Sequence, residues 1–179
     1  MWEGSVPGIA RPVLRYGQAL LRERSEHVHS FDAALRWLIE DLFATMYASG
    51  GVGIAANQIG SSARVFVFDC PDASAGRLVG HVVNPEWVPA PTETVPVVHR
   101  EGCLSLPNVL ADITRPGNAS VIGLDRIGAP VRIDGTGIGA RCLQHEMEHL
   151  DGGMYIDHLC EADRNQLLET QAEFDSGTR

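Results

Sequence analysis

The residues best suited to chemistry stand near the C-terminal end, in QHEMEHLDGG, residues 144–153. His145 and His149 are four apart. On an α-helix that spacing puts two imidazoles on one face, about 6 Å apart along the axis. Imidazoles so placed converge on one metal ion, and Glu146, beside the first, reaches a water on the same ion. H-E-x-x-H thus amounts to two ligands and a general base. The competing reading is a surface helix with two solvated histidines. Ile138, Leu143 and Leu150 argue against it, because they predict partial burial, and unpaired histidines on a buried face are costly.

A catalytic metal site takes three protein ligands and keeps one position open. Cys142 stands seven residues before His149, about 10 Å of helical rise, too far for both to touch one ion; it is expected to be a packed core thiol. A metzincin-type continuation needs a third histidine six residues after His149. Gly152 fits that pattern, but its last position is Tyr155. A downstream glutamate is a further option, and Glu169 stands in a polar, acidic tail. Upstream, Cys103 sits in REGCLSLP, where Gly102 permits close backbone approach and Leu104 offers an N–H just beyond the thiol. Cys70 and Cys160 are open on composition. Spacing does not choose among these ligands.

The helix carrying the motif, IGARCLQHEMEHL (138–150), is predicted to end at Gly152 and Gly153. An earlier helix is predicted in FDAALRWLIEDLFATMYASGG, capped by Ser30. Its apolar residues Phe31, Leu35, Leu38, Ile39, Leu42, Phe43 and Met46 recur at helical steps, and Gly50 and Gly51 stop it. ARVFVFD (63–69) and LVGHVVN (78–84) read as strands, joined by a loop holding Pro71 and Gly76. Pro85, Pro89, Pro91, Pro96 and Pro107 predict short edge strands or irregular loops. NASVIGLD (118–125) and PVRID (130–134) read as a hairpin around Gly128, and Glu161 to Phe174 as a last helix. Strands without regular βαβ alternation imply an α+β fold. Mixed or antiparallel sheets would pack around the central helix bearing HExxH, with a C-terminal helix beyond.

The chain has 179 residues, room for one domain, 1–179. Lys+Arg is 14 and Asp+Glu 23, a net charge of −9, which opposes nucleic-acid binding. No apolar run is long enough to cross a bilayer. The N-terminal stretch MWEGSVPGIARPVLR does not read as a secretory signal, so free thiols or metal ligands rather than disulfides, and a cytoplasmic location, are expected.

Three segments together resemble the signature motifs of the peptide deformylases: GVGIAANQ (51–58), EGCLSLP (101–107) and QHEMEHLDG (144–152). The likeness runs from about Pro12 to Leu159, with residues 160–179 left as an acidic C-terminal helix and tail. It implies a metal held by Cys103, His145 and His149. Fe(II) is the expected ion; Ni(II), Co(II) or Zn(II) can replace it in preparations. It implies removal of the formyl group from formyl-methionine at the start of new polypeptides, a step of protein biosynthesis. Metal-bound hydroxide would attack the formyl carbon, with Glu146 as general base and acid, and with the Gln58 side chain and the Leu104 backbone N–H as oxyanion donors. Val52, Gly53, Ile54 and Gly102 would pair with an extended peptide, and Glu101 and Arg141 would border the pocket.

One departure is Glu148, where the family commonly has aspartate; its expected partner is Arg115. Another is the acidic tail, with Glu161, Asp163, Glu169, Glu173 and Asp175 against Arg164 and Arg179. It opposes the ribosome docking that some family members achieve through a basic C-terminal helix. The alternatives are a paralogue acting on a small formylated compound, a zinc metallopeptidase, a cysteine hydrolase using Cys103 and His145, and a non-catalytic metal-binding module.

Overall fold

The first long helix, α1 (Ala33–Ala48), starts at Asp32, whose side chain accepts hydrogen bonds from the Ala34 and Leu35 backbone N–H groups. The cap is therefore Asp32 and not Ser30: the carboxylate two residues later satisfies the orphan N–H donors of the first turn. The computed structural model describes residues 8–89 and 95–177; Pro91 lies outside these. Gly50, at φ +68°, turns the chain out of α1.

Among the described residues seven strands follow: β1 (Gly53–Ala55), β2 (Val65–Asp72), β3 (Gly76–Trp87), β4 (Pro96–Cys103), β5 (Leu106–Pro116), β6 (Asn118–Leu124) and β7 (Pro130–Thr136). Five form one antiparallel sheet in the order β1-β2-β3-β6-β7. β4 and β5 form a separate antiparallel hairpin. Helices α2 (Ile138–Leu150) and α3 (Glu161–Asp175) complete the α+β domain.

β2 explains the layering. Its side chains alternate between faces, and both faces are covered. Val65 and Val67 meet Leu35, Ile39, Leu42 and Met46 of α1. Phe66, Phe68 and Cys70 meet Cys142, Leu143, Met147 and Leu150 of α2. Burying one such aliphatic side chain contributes about 1.5–3 kcal/mol. A third cluster joins Leu106, Val109 and Ile113 of the hairpin to Tyr155, Ile156 and Leu167. α2 thus has the sheet on one side and the β4–β5 hairpin on the other. Every residue of it is buried except Ile138 and Glu148.

Two further expectations need correction. The proline-bearing region is not irregular throughout: β4 and β5 pair from Pro96↔Pro116 to Cys103↔Leu106, with one register shift. Proline lacks an N–H, and here Pro96 and Pro116 stand at strand ends while Pro85 stands in the register shift of β3. The β2–β3 connection is also tighter than expected. Pro71 and Gly76 lie within the ladder, opposite Arg77 and Asp72.

Candidate active site

α2 delivers His145, Glu146 and His149 to the side facing the hairpin. Cys103 ends β4 and meets them there, its Sγ 3.1 Å from His149 Nε2. The ligand atoms of Cys103, His145 and His149 all lie within 4.8 Å of one another, and all three residues are buried. Burial raises the Cys103 thiol, but the imidazoles of His149 and His145 outweigh it and hold the group well below the usual thiol range. A thiolate between two imidazoles is a donor set suited to a divalent ion.

Neighbouring groups hold this set in place. Glu101 Oε1 lies 2.7 Å from His145 Nδ1, which leaves Nε2 to face an ion. The same carboxylate accepts from Arg115 Nε and Nη2 at 2.8 and 2.6 Å and from Arg141 Nη1 at 2.6 Å. Burial raises the Glu101 carboxyl; Arg115 and His145 more than reverse this and hold it well below the ordinary range. Arg115 continues outward to Glu148 at 2.9 and 2.8 Å, the pairing expected from the sequence. Asn57 Nδ2 donates to the His149 carbonyl at 2.5 Å, and Ser105 N–H to Cys103 Sγ at 3.4 Å. Reading the sequence missed Asn57 and Ser105, and it took Glu101 as a pocket border rather than the partner of His145. Asn57 and Ser105 sit inside the quoted motifs, which was the only available signal.

Gln58, in the turn Ala56–Ile59, has its Oε1 pinned by the Ala55 N–H at 2.8 Å. That orients Nε2 toward Cys103 Sγ, 3.6 Å away, and Ser105 Oγ, 3.2 Å away. Glu146 Oε2 is buried with no hydrogen-bond partner among the described residues. Burial pushes the Glu146 carboxyl up to about 7, with His145 and His149 pulling the other way.

A cavity of about 430 Å³ opens over these groups. Val52, Gly53, Gln58, Gly102 and Leu104 line it beside Glu101, Arg141, His145 and Glu146. Ile54 is fully buried and faces α1 instead. Arg141 reaches the wall, but its guanidinium is occupied by Glu101 and by the Val97 and Ile113 carbonyls. Cys142 is a core thiol that donates to the Val52 carbonyl at 3.5 Å. Among the described residues the cluster includes neither Cys70 nor Cys160, and Glu169 is exposed on α3.

An α+β domain that buries a cysteine and two histidines of an HExxH helix beneath a cleft has the form of a metal-dependent hydrolase. Comparison with known proteins narrows the class. The sequence model of the family described as Polypeptide deformylase matches residues 10–165. Peptide deformylase 2 of Streptomyces coelicolor is 48% identical over 177 residues, covering 96% of this chain and 97% of the relative. Peptide deformylase 1 of Corynebacterium efficiens is 46% identical over 158 residues, covering 88% and 92%. A crystal structure of a peptide deformylase from Legionella pneumophila superposes with a TM-score of 0.84 at 36% identity, covering 94% of this chain and 97% of that one. One from Ehrlichia chaffeensis in complex with actinonin also gives 0.84, at 32% identity over 93% and 98%. The chain belongs to the peptide deformylase family, and it is an enzyme of that kind.

Proposed function

We propose that this enzyme removes the formyl group from N-terminal formyl-methionine of newly made polypeptides, the whole chain serving as one catalytic domain. The observation that carries the reading is Glu146 Oε2, a buried carboxylate oxygen with no partner among the described residues, beside the Cys103, His145 and His149 cluster. The donor set fits a divalent ion, Fe(II) first. Bound there, it would supply Lewis acidity and acidify a water.

The chain's own groups do the rest. Glu146 Oε2 takes the proton of the attacking water and returns it to the departing amine nitrogen. Gln58 Nε2, oriented by Ala55, donates to the oxygen where negative charge grows, and the Leu104 backbone N–H completes that pair of donors. Val52, Gly53 and Gly102 form the lips of the cleft, where main-chain hydrogen bonds hold an extended peptide whatever its later side chains. The apolar wall of Leu104, Leu106 and Ile138 suits the unbranched methionine side chain. Among the described residues no helix is long and apolar enough to cross a membrane. A cytoplasmic site of action, where nascent chains are found, follows from the reading. The charge of α3 opposes docking on ribosomal RNA.

The test is anaerobic purification, metal analysis and an assay on formyl-Met-Ala-Ser. Release of formate and a free amine, with no internal cleavage, is expected. Internal cleavage without formate release would favour a peptidase, and activity that survives complete chelation would sink the metal reading.

A further inference from the structure

We propose that His158 is a positioning residue for the metal site, acting through Glu148, Arg115 and Glu101 on His145. The proposal rests on the metal reading of the Cys103, His145 and His149 cluster.

The links are continuous. His158 ends the short turn Tyr155–His158 and hydrogen-bonds through Nε2 to Glu148 Oε1. A carboxylate can only accept, so Nε2 carries the proton. Glu148 takes both terminal nitrogens of Arg115, Nη1 at 2.9 Å and Nη2 at 2.8 Å. Arg115 takes Glu101 with Nε and Nη2, and Glu101 takes His145 Nδ1 at 2.7 Å. Arg115 therefore sits in a fork between two carboxylates, and its own side chain is only 4% exposed.

The two carboxylates are not equally fixed. Glu101 is held from three directions, by Arg115, Arg141 and His145. Glu148 has Arg115 on one side and water on the other, its side chain 25% exposed. Among the described residues His158 is the one further group that holds it, from a different element. It thereby ties α2 to the turn that carries Tyr155, whose ring lies 6.0 Å from that of His145. Without His158 the partly exposed Glu148 carboxylate is held by Arg115 alone, and the outer side of the Arg115 fork is less firmly fixed. Reach also matters. Oε1 of Glu148 serves Arg115 and His158 together; aspartate, shorter by one methylene, cannot keep both contacts from the same backbone position.

The experiment loads the protein with cobalt(II) and follows its visible d–d band and its loss to excess chelator. His158→Ala is expected to speed cobalt loss about 3–10-fold, below the roughly 10–100-fold typical for a direct partner of a ligand, and to shift the d–d band. Thermal stability should stay near that of the parent, because the His158 side chain is 42% exposed. His158→Gln, which restores a donor, should bring the release rate most of the way back. In a Glu148→Asp background, His158→Ala should change nothing further. Release rates and bands equal in parent and His158→Ala would overturn the proposal. So would an undiminished effect in the Glu148→Asp background, which would place the action of His158 elsewhere. A parent protein that takes up no cobalt would instead overturn the reading of the cluster, and the proposal with it.

Discussion

Gly53 of β1 lies directly against Glu146 of α2: a Cβ at position 53 would stand 2.5 Å from Glu146 Oε1 and 2.7 Å from Cys142 Sγ. The edge strand and the helix approach so closely only because residue 53 has no side chain. Gly53→Ala must therefore displace the carboxylate or part the strand from the helix. The expected outcome is a loss of kcat of tenfold or more, with metal content unchanged. Steady-state kinetics paired with metal analysis would check it; a variant as active as the parent would contradict the placement of Glu146.

Removing the acceptor of His145 should affect both metal and fold. In Glu101→Gln one carboxylate no longer neutralises Arg115 and Arg141, which remain buried. Leaving buried charge uncompensated costs about 3–5 kcal/mol, and loss of a ligand's partner costs roughly 10–100-fold in metal affinity. Urea titration of the metal-free protein and chelator competition of the loaded protein measure the two effects separately.

Ligand and base are separable by substitution. Cys103→Ser replaces a soft thiolate with a hydroxyl and should abolish metal retention through gel filtration. Glu146→Gln keeps the three ligands and removes the proton carrier. It should hold metal at parental stoichiometry while kcat falls by about 10²–10⁴, the usual worth of general acid–base catalysis. Parental activity in Glu146→Gln would eliminate the proposed role.

Acid sensitivity has a definite source outside the cleft. Asp72 ends β2 and accepts from Ser74 N, Ala75 N, Ser74 Oγ and Thr136 Oγ1 on Oδ1, and from Thr136 N at 2.6 Å on Oδ2. Burial raises its carboxyl, but the hydrogen bonds from Ala75, Thr136 and Ser74 win and hold it well below the ordinary range. A carboxylate depressed in the folded state stabilises fully above its unfolded pKa of about 3.9, and that contribution is lost as pH falls below it. The urea midpoint should thus fall between about pH 5 and pH 2 more steeply in the parent than in Asp72→Asn. At pH 7 the variant should be less stable by about 1–3 kcal/mol, because its amide cannot accept from donors on both sides. Parallel pH profiles would refute the assignment.

Much was legible before any coordinates. The 138–150 helix coincides with α2, because apolar spacing, the histidine pair and the terminal glycines agree on one period. The hairpin around Gly128 pairs as expected, Leu124 opposite Pro130. The Glu148–Arg115 pair is legible from the departure at 148, where a carboxylate can neutralise a buried arginine. Other features were not legible. The cap moved from Ser30 to Asp32 because local hydrogen bonding chooses among neighbouring candidates only once the backbone is placed. The hairpin of β4 and β5 looked broken because proline counts against a strand until its position in the ladder is known.

Local order therefore determined the helix face, the base beside the first ligand and the strand alternation, since each depends on residues a few positions apart. Spacing left several thiols open; the motif resemblance pointed to Cys103, and the tertiary structure brings it to the imidazoles. Cys103 and His149 are 46 residues apart, and no periodicity spans that interval. They meet because α2 is buried between the sheet and a hairpin whose first strand ends at the thiol. The same packing gave Glu101 to His145 and set Glu146 against Gly53, contacts that arise from the closeness of layers and from no pattern along the chain.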